Sequence, residues 1–241
     1  MNLRVLGVAT LLVLALALGA SRDSKAQSTG TTTPAKPVAS KSAKTASPAI
    51  PPSPQPITVG PVTDIDPRKA FGSKTAPVIL EVFSDFQCPA CKNLYLATNR
   101  QLMDNYVNTG KVYLIHRDFP LQMHAHSRVA ALYARAAAQI GRGEAVEQAL
   151  FENQERWEAS GDVDGIVATA ISAADMKKVR DLVKSGTLEP FIEKDLALGH
   201  MHNVNQTPTT EFYAHGQTYP YAGQVNYEFL KQFLDQLLAQ K

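Results

Sequence analysis

Cys88 and Cys91 are the only cysteines in the 241 residues, and they lie three apart. A dithiol with this spacing can close a disulfide, exchange it with another protein's thiols, or offer two ligands to a metal. Only the thiolate attacks a disulfide, so the chemistry depends on what lowers one thiol's pKa. The local sequence is Phe83-Ser84-Asp85-Phe86-Gln87-Cys88-Pro89-Ala90-Cys91-Lys92. An apolar, β-branched run precedes it and a helical pattern follows. Cys88 therefore falls at a helix N-terminus, where unpaired N–H groups and the positive dipole end favour an anion. Pro89 suits the first turn, because an N–H there would have no partner. Cys91 sits one turn on and faces back, placed to resolve a mixed disulfide formed at Cys88.

Two other readings of the pair stand beside the redox one. A structural disulfide suits an exported protein. A two-cysteine metal site would need partners such as His124, His126, His200 or His202, and no zinc-finger spacing links them. No metal and no bound cofactor are expected, since the dithiol is itself a redox centre. Two cysteines also exclude a disulfide-stapled mini-fold and a closed four-cysteine zinc site.

The elements that must position the pair can be read around it. Residues 77–83, PVILEVF, suit a central strand, with Glu81 the one discordant residue. Apolar neighbours on both sides favour burial of Glu81. A helix is predicted from Cys88 to Val107, closed by Gly110, and a second strand over 111–116. This strand–helix–strand unit predicts a parallel pair with a right-handed crossover. About 121–201 reads as helical, with helices over Ser127–Ile140, Glu144–Trp157, after Asp162, from the N-cap Ser172 to Gly186, and over Leu188–His200. The chain then returns to sheet: strands at 209–213 and 217–221 joined by His215-Gly216, and an amphipathic helix from Asn226 to Leu238.

Composition bounds the class. Hydrophobic residues are 44% and charged residues 19%, an ordinary globular balance that argues against collagen, a coiled coil or a wholly disordered chain. Arg4 precedes sixteen uncharged residues, Val5 to Ala20, which fit a secretory signal over 1–20, either cleaved or kept as an anchor. Residues 21–60 hold seven of the fifteen prolines, no aromatic residue, and five cations against one anion. They predict a disordered Pro/Ser/Thr/Ala/Lys-rich linker. Residues 61–241 carry 18 cations against 21 anions, so the folded part has no field suited to nucleic acid.

VILEVFSDFQCPACK at 78–92, HRDFPLQMHAHSRVAALYA at 116–134 and TPT at 207–209 together resemble the DsbA-like thioredoxin-fold thiol–disulfide oxidoreductases of bacteria. The resemblance covers roughly 61–241. It implies an α/β, thioredoxin-like fold with an inserted helical subdomain at about 121–201. It implies Cys88 as nucleophile and Cys91 as resolving thiol. It implies a buried Glu81 beneath the pair as proton relay, and Pro208 as the cis-proline facing the dithiol. Thr207 would then pair with extended substrate, with Pro89, Ala90 and His124 also at the substrate surface. The implied activity is extracytoplasmic insertion of disulfides into unfolded or reduced exported proteins, in the bacterial periplasm or cell envelope. A membrane quinone-linked thiol oxidase would reoxidise the pair. A monomer is expected, because the linker is too polar to form a dimerisation domain. A disulfide reductase or isomerase of the same fold remains open, as does a noncatalytic binding protein with an inert disulfide. The absence of a histidine between the cysteines leaves the direction of exchange open.

Overall fold

Val78–Ser84 form β2, the central strand of a computed structural model that describes residues 53–58 and 62–240. Its β-branched and apolar side chains suit a strand buried on both faces. Val112–Asp118 (β3) pairs with it in parallel, with Leu80 opposite Leu114. Thr209–Ala214 (β4) pairs on the other side, antiparallel. Gln217–Ala222 (β5) completes the hairpin. His215 and Gly216, with φ of 53° and 74°, make the two-residue turn that this hairpin needs. A two-residue strand not foreseen in the sequence, Ala70–Phe71 (β1), pairs antiparallel with β3, giving the sheet order β1-β3-β2-β4-β5.

The helix after the dithiol begins as α1 (Pro89–Leu94). It continues through a π-helical segment Tyr95–Asn99, the short α2 (Arg100–Leu102) and a second π-helical segment Met103–Val107. This run packs on the face of β2 that carries Val78 and Leu80, together with α9 (Tyr227–Ala239), whose N-cap Asn226 accepts from the Phe229 N–H.

Six helices lie between β3 and β4: α3 (Ser127–Gln139), α4 (Gly143–Glu152), α5 (Gln154–Ser160), α6 (Val163–Ala170), α7 (Ala173–Lys184) and α8 (Glu189–Met201). The single helix expected over 144–157 is in fact two, broken at Asn153, whose side chain turns back to the Ala149 carbonyl. Asp162 and Ser172 cap α6 and α7 by accepting from the N–H groups of Gly165 and Asp175. Their core includes Trp157, Leu150, Val146 and Ile192, and Phe86, Cys88 and Cys91 belong to the same apolar cluster. The dithiol thus sits where the sheet meets the helices.

The opposite face of β2 receives α8. Gly199 makes this approach possible: a Cβ there would lie 2.4 Å from the Phe119 ring. Phe83, Phe119, Leu198 and Val204 fill the contact. Ile57, which the sequence places in the linker, is bridged to Thr218 on β5, with N–H···O distances of 2.7 and 3.0 Å. Residues 1–20, and the linker up to residue 52, lie outside the described residues. No helix among the described residues is long and apolar enough to cross a membrane.

Candidate active site

Cys88 occupies the N-cap of α1 in extended conformation, φ −77° and ψ 120°, and Pro89 follows at the first helical position. The cap makes no side-chain hydrogen bond, so the helix start presents its N–H groups to the sulfur. Cys88 is 8% exposed and Cys91 1% exposed, and both are free thiols. The Cys88 thiol is lowered from 9.0 to about 5, first by the Cys91 thiol and further by the backbone at Cys91 and Ala90, against the opposing effect of burial. The Cys91 thiol is pushed well above its ordinary value, first by burial, then by its donation to Cys88 and the charge there. The pair is thus polarised into an outer thiolate and an inner thiol that donates to it.

Thr207 and Pro208 close the other side. Their peptide bond is cis, and the Cys88 thiol lies 3.2 Å from the Thr207 carbonyl oxygen, to which it donates when protonated. Thr207 is itself buried. Ala90 is half-buried at the first turn, whereas Pro89 is exposed.

The loop before the dithiol is held by Asp85, whose role the sequence did not reveal. Its buried carboxylate accepts from the Gln87 N–H (2.7 Å), the Leu121 N–H (2.7 Å), the Ser127 hydroxyl (2.6 Å) and His124 Nδ1 (2.8 Å). Its own N–H points at Cys91 Sγ, 3.5 Å away. His124 therefore joins the helical region to the active-site loop through Asp85. Gln87 accepts from the His126 N–H at 2.5 Å, and Gln154 on α5 donates to the carbonyls of Phe86 and Cys88. Phe86 and Phe119 are core residues, while Met123 is 80% exposed. Lys92 turns to Glu155, 3.1 Å away.

Glu81 is not beneath the dithiol, which corrects the relay role expected of it. Side chains alternate along a strand. Leu80, Val82 and Ser84 share the face of β2 that lines a small cavity with Cys91, so Glu81 projects to the other face. There it accepts from Arg117 Nε at 2.5 Å and from the Tyr213 hydroxyl at 2.9 Å, fully buried. Val82 takes the place on the dithiol side.

The cavity, about 50 Å³, also meets Lys69, His116 and Glu147. Lys69 Nζ lies 2.5 Å from Glu147 and 3.3 Å from Asp118, and His116 Nδ1 lies 3.2 Å from Glu147. Burial opposes charge on Lys69, but Asp118 and Glu147 outweigh it and raise the ammonium above its ordinary value. Burial likewise opposes charge on Glu147, and Lys69 and His116 outweigh it and hold the carboxyl far below the carboxylate range. Lys69 and Glu147 are 78 residues apart and neither stands near the cysteines in sequence, so no local motif marked them.

A thioredoxin family model matches residues 66–236. The chain belongs to that family. It is 36% identical over 53 residues to the probable disulfide bond formation protein D of Bacillus cereus, a match spanning 22% of this chain and 24% of that relative. The chain thus aligns with about a quarter of the curated relatives' length. Among solved structures, oxidised BdbD from Bacillus subtilis is similar with a TM-score of 0.56 and 21% identity, covering 71% of this chain and 93% of that one. A thioredoxin-like oxidoreductase from Silicibacter pomeroyi gives 0.61 and 23%, covering 73% and 95%. Pseudomonas aeruginosa DsbA2 gives 0.56 and 20%, covering 70% and 93%. The fold is thus the DsbA-like form of the thioredoxin fold.

Proposed function

We propose that this chain acts outside the cytoplasm, in the periplasm or cell envelope, as a thiol–disulfide oxidoreductase that introduces disulfides into exported proteins. The observation that carries the proposal is the placement of the pair: Cys88 at the N-cap of α1 beside the Thr207 carbonyl, with Cys91 buried behind it, an arrangement that lowers the Cys88 thiol to about 5 and raises that of Cys91. Stabilising the thiolate stabilises the reduced form, which makes the disulfide form an oxidant. The names of the Bacillus relatives and the signal-like run Val5 to Ala20 support the same reading.

The exchange balances as follows. A substrate thiolate attacks Cys88 Sγ of the Cys88–Cys91 disulfide and forms a mixed disulfide. Cys91 leaves as a thiolate and takes up a proton. A second substrate thiolate attacks the substrate sulfur of the mixed disulfide, forms the substrate disulfide and releases Cys88. Two electrons pass from the substrate dithiol to the protein. Cys88 is the better leaving group because its thiolate is stabilised at the helix start. The proton for Cys91 comes through the cavity lined by His116, Lys69 and Glu147, on the face Cys91 occupies. The Thr207 backbone, beside Cys88, receives the substrate in extended form. A membrane quinone-linked thiol oxidase reoxidises the pair, and the chain works as a monomer.

The test is the reduction potential of the pair, by equilibration with defined glutathione ratios and trapping. A value near about −120 mV fits a disulfide donor; one near about −230 mV or lower would replace this reading with a reductase. Cys88→Ser abolishes turnover of a reduced substrate if the pair is catalytic; retained turnover would sink the enzyme reading.

A further inference from the structure

On the far side of the sheet from the dithiol, Glu81 and Glu211 face each other from neighbouring strands, paired in register on β2 and β4. Both are fully buried. His202, at the end of α8, joins them: one ligand-type atom from each of the three residues lies within 4.8 Å of the others. The polar contacts there are unbalanced. The Tyr213 hydroxyl has one hydrogen and meets two carboxylate oxygens, Glu81 Oε2 at 2.9 Å and Glu211 Oε2 at 2.5 Å. His202 Nδ1 meets the same Glu211 oxygen at 2.8 Å. Arg117 takes Glu81 Oε1, but its guanidinium is shared with Asp195 at 3.0 Å. Glu211 Oε1 is buried with no hydrogen-bond partner among the described residues. A buried carboxylate oxygen without a donor is costly, and two carboxylates meeting at one hydroxyl call for positive charge.

We propose that Glu81, Glu211 and His202 bind a divalent cation of the zinc class. Two carboxylate oxygens and one imidazole nitrogen are a zinc donor set that leaves a fourth position open. Glu211 Oε1 is buried and has no hydrogen bond to give up on binding. Arg117 keeps Glu81 oriented through the oxygen the metal does not need. His202 is the ligand nearest solvent, its side chain 9% exposed, and provides the way in. His202 and Glu211 stand at the two ends of residues 203–210, the segment that carries Thr207 and Pro208 to Cys88. The metal therefore ties both ends of the substrate-facing loop without touching the sulfurs.

The test uses the full chain with both cysteines replaced, Cys88→Ser and Cys91→Ser, since a dithiol can bind zinc by itself. The protein is stripped of metal, given zinc chloride, desalted and assayed for metal. One equivalent of zinc should be retained, and the Tm should climb with zinc concentration and then saturate. Glu211→Gln and, separately, His202→Gln in the same background should each reduce bound zinc to background; the second variant keeps the test valid where the first fails to fold. The proposal is overturned if the cysteine-free chain retains no zinc, or if both variants retain it undiminished.

Discussion

The two faces of β2 are built on opposite plans. On one, Leu80 and Val82 meet an apolar layer and the paired thiols, and polar groups approach only around a small cavity. On the other, Glu81 enters a buried network of Arg117, Asp195, Arg135 and Tyr213. The first face confines its charge to the Lys69–Glu147–Asp118 cluster at the cavity edge, where the charges are paired with one another, and leaves one thiolate at a helix start. The second concentrates charge and locks α3, α8 and the sheet together. One step along a strand separates a residue that can serve the dithiol from one that cannot.

The sharpest way to break this contrast is Arg117→Met. Arg117 is 2% exposed and contacts Glu81, Asp195 and the carbonyls of Thr63 and Asp64. Removing it leaves Glu81 with the Tyr213 hydroxyl and no cation, and leaves Asp195 with Arg135 alone, so stability should fall by about 3–5 kcal/mol. The Cys88 alkylation profile should stay in place, because the network lies on the other face. Chemical denaturation and pH-dependent alkylation measure the two arms. A large shift in the thiol's profile with little loss of stability would mean that the faces are coupled.

Asp85→Ala attacks the first face through its scaffold. Four donors lose one carboxylate: the N–H groups of Gln87 and Leu121, the Ser127 hydroxyl and His124. A loss of about 2–3 kcal/mol is expected in denaturant melts. His124→Ala removes only one of these partners and should cost less. Equal losses would show that the other three bonds contribute nothing.

Much of this was legible in the sequence, and its limits are physical. The strand, the dithiol helix and the β4–β5 hairpin follow from periodicity and punctuation, and the cap Ser172 from residue type. The face of Glu81 was not legible. Four residues, Asp85 to Cys88, connect β2 to α1, and their path decides which side of the pleat the helix covers. Apolar neighbours on both sides said only that Glu81 is buried. β1 escaped because a two-residue strand has no period to read, and with it went Lys69, whose partner Glu147 comes from α4.

Acidity distinguishes the two redox forms. The folded Cys88 thiol, at about 5, lies below its ordinary 9.0. A depressed pKa contributes stability that is full above the unfolded value and lost as pH falls through the folded one. The Tm of the reduced form minus that of the oxidised form should therefore rise steadily from pH 5 to 9. Alkylation of Cys88 should be half-maximal near pH 5. A Tm difference that stays flat over this window would remove the thiolate as the source of oxidising power.

The smallest effects separate the two glutamates. Glu147→Gln weakens the Lys69–His116 cluster beside the cavity that Cys91 lines. If Cys91 draws its proton there, the step that releases it should slow by a few fold, with a changed pH profile and a solvent isotope effect, while the Cys88 titration moves little. Glu81→Gln, measured in chelator so that no metal intervenes, should leave both the release step and the Cys88 titration where they are. Stopped-flow fluorescence of reduction by a small dithiol reads both variants. The reverse pattern, with Glu81→Gln slowing release and Glu147→Gln silent, would return the relay to Glu81 and would require β2 to present its other face to Cys91 in solution.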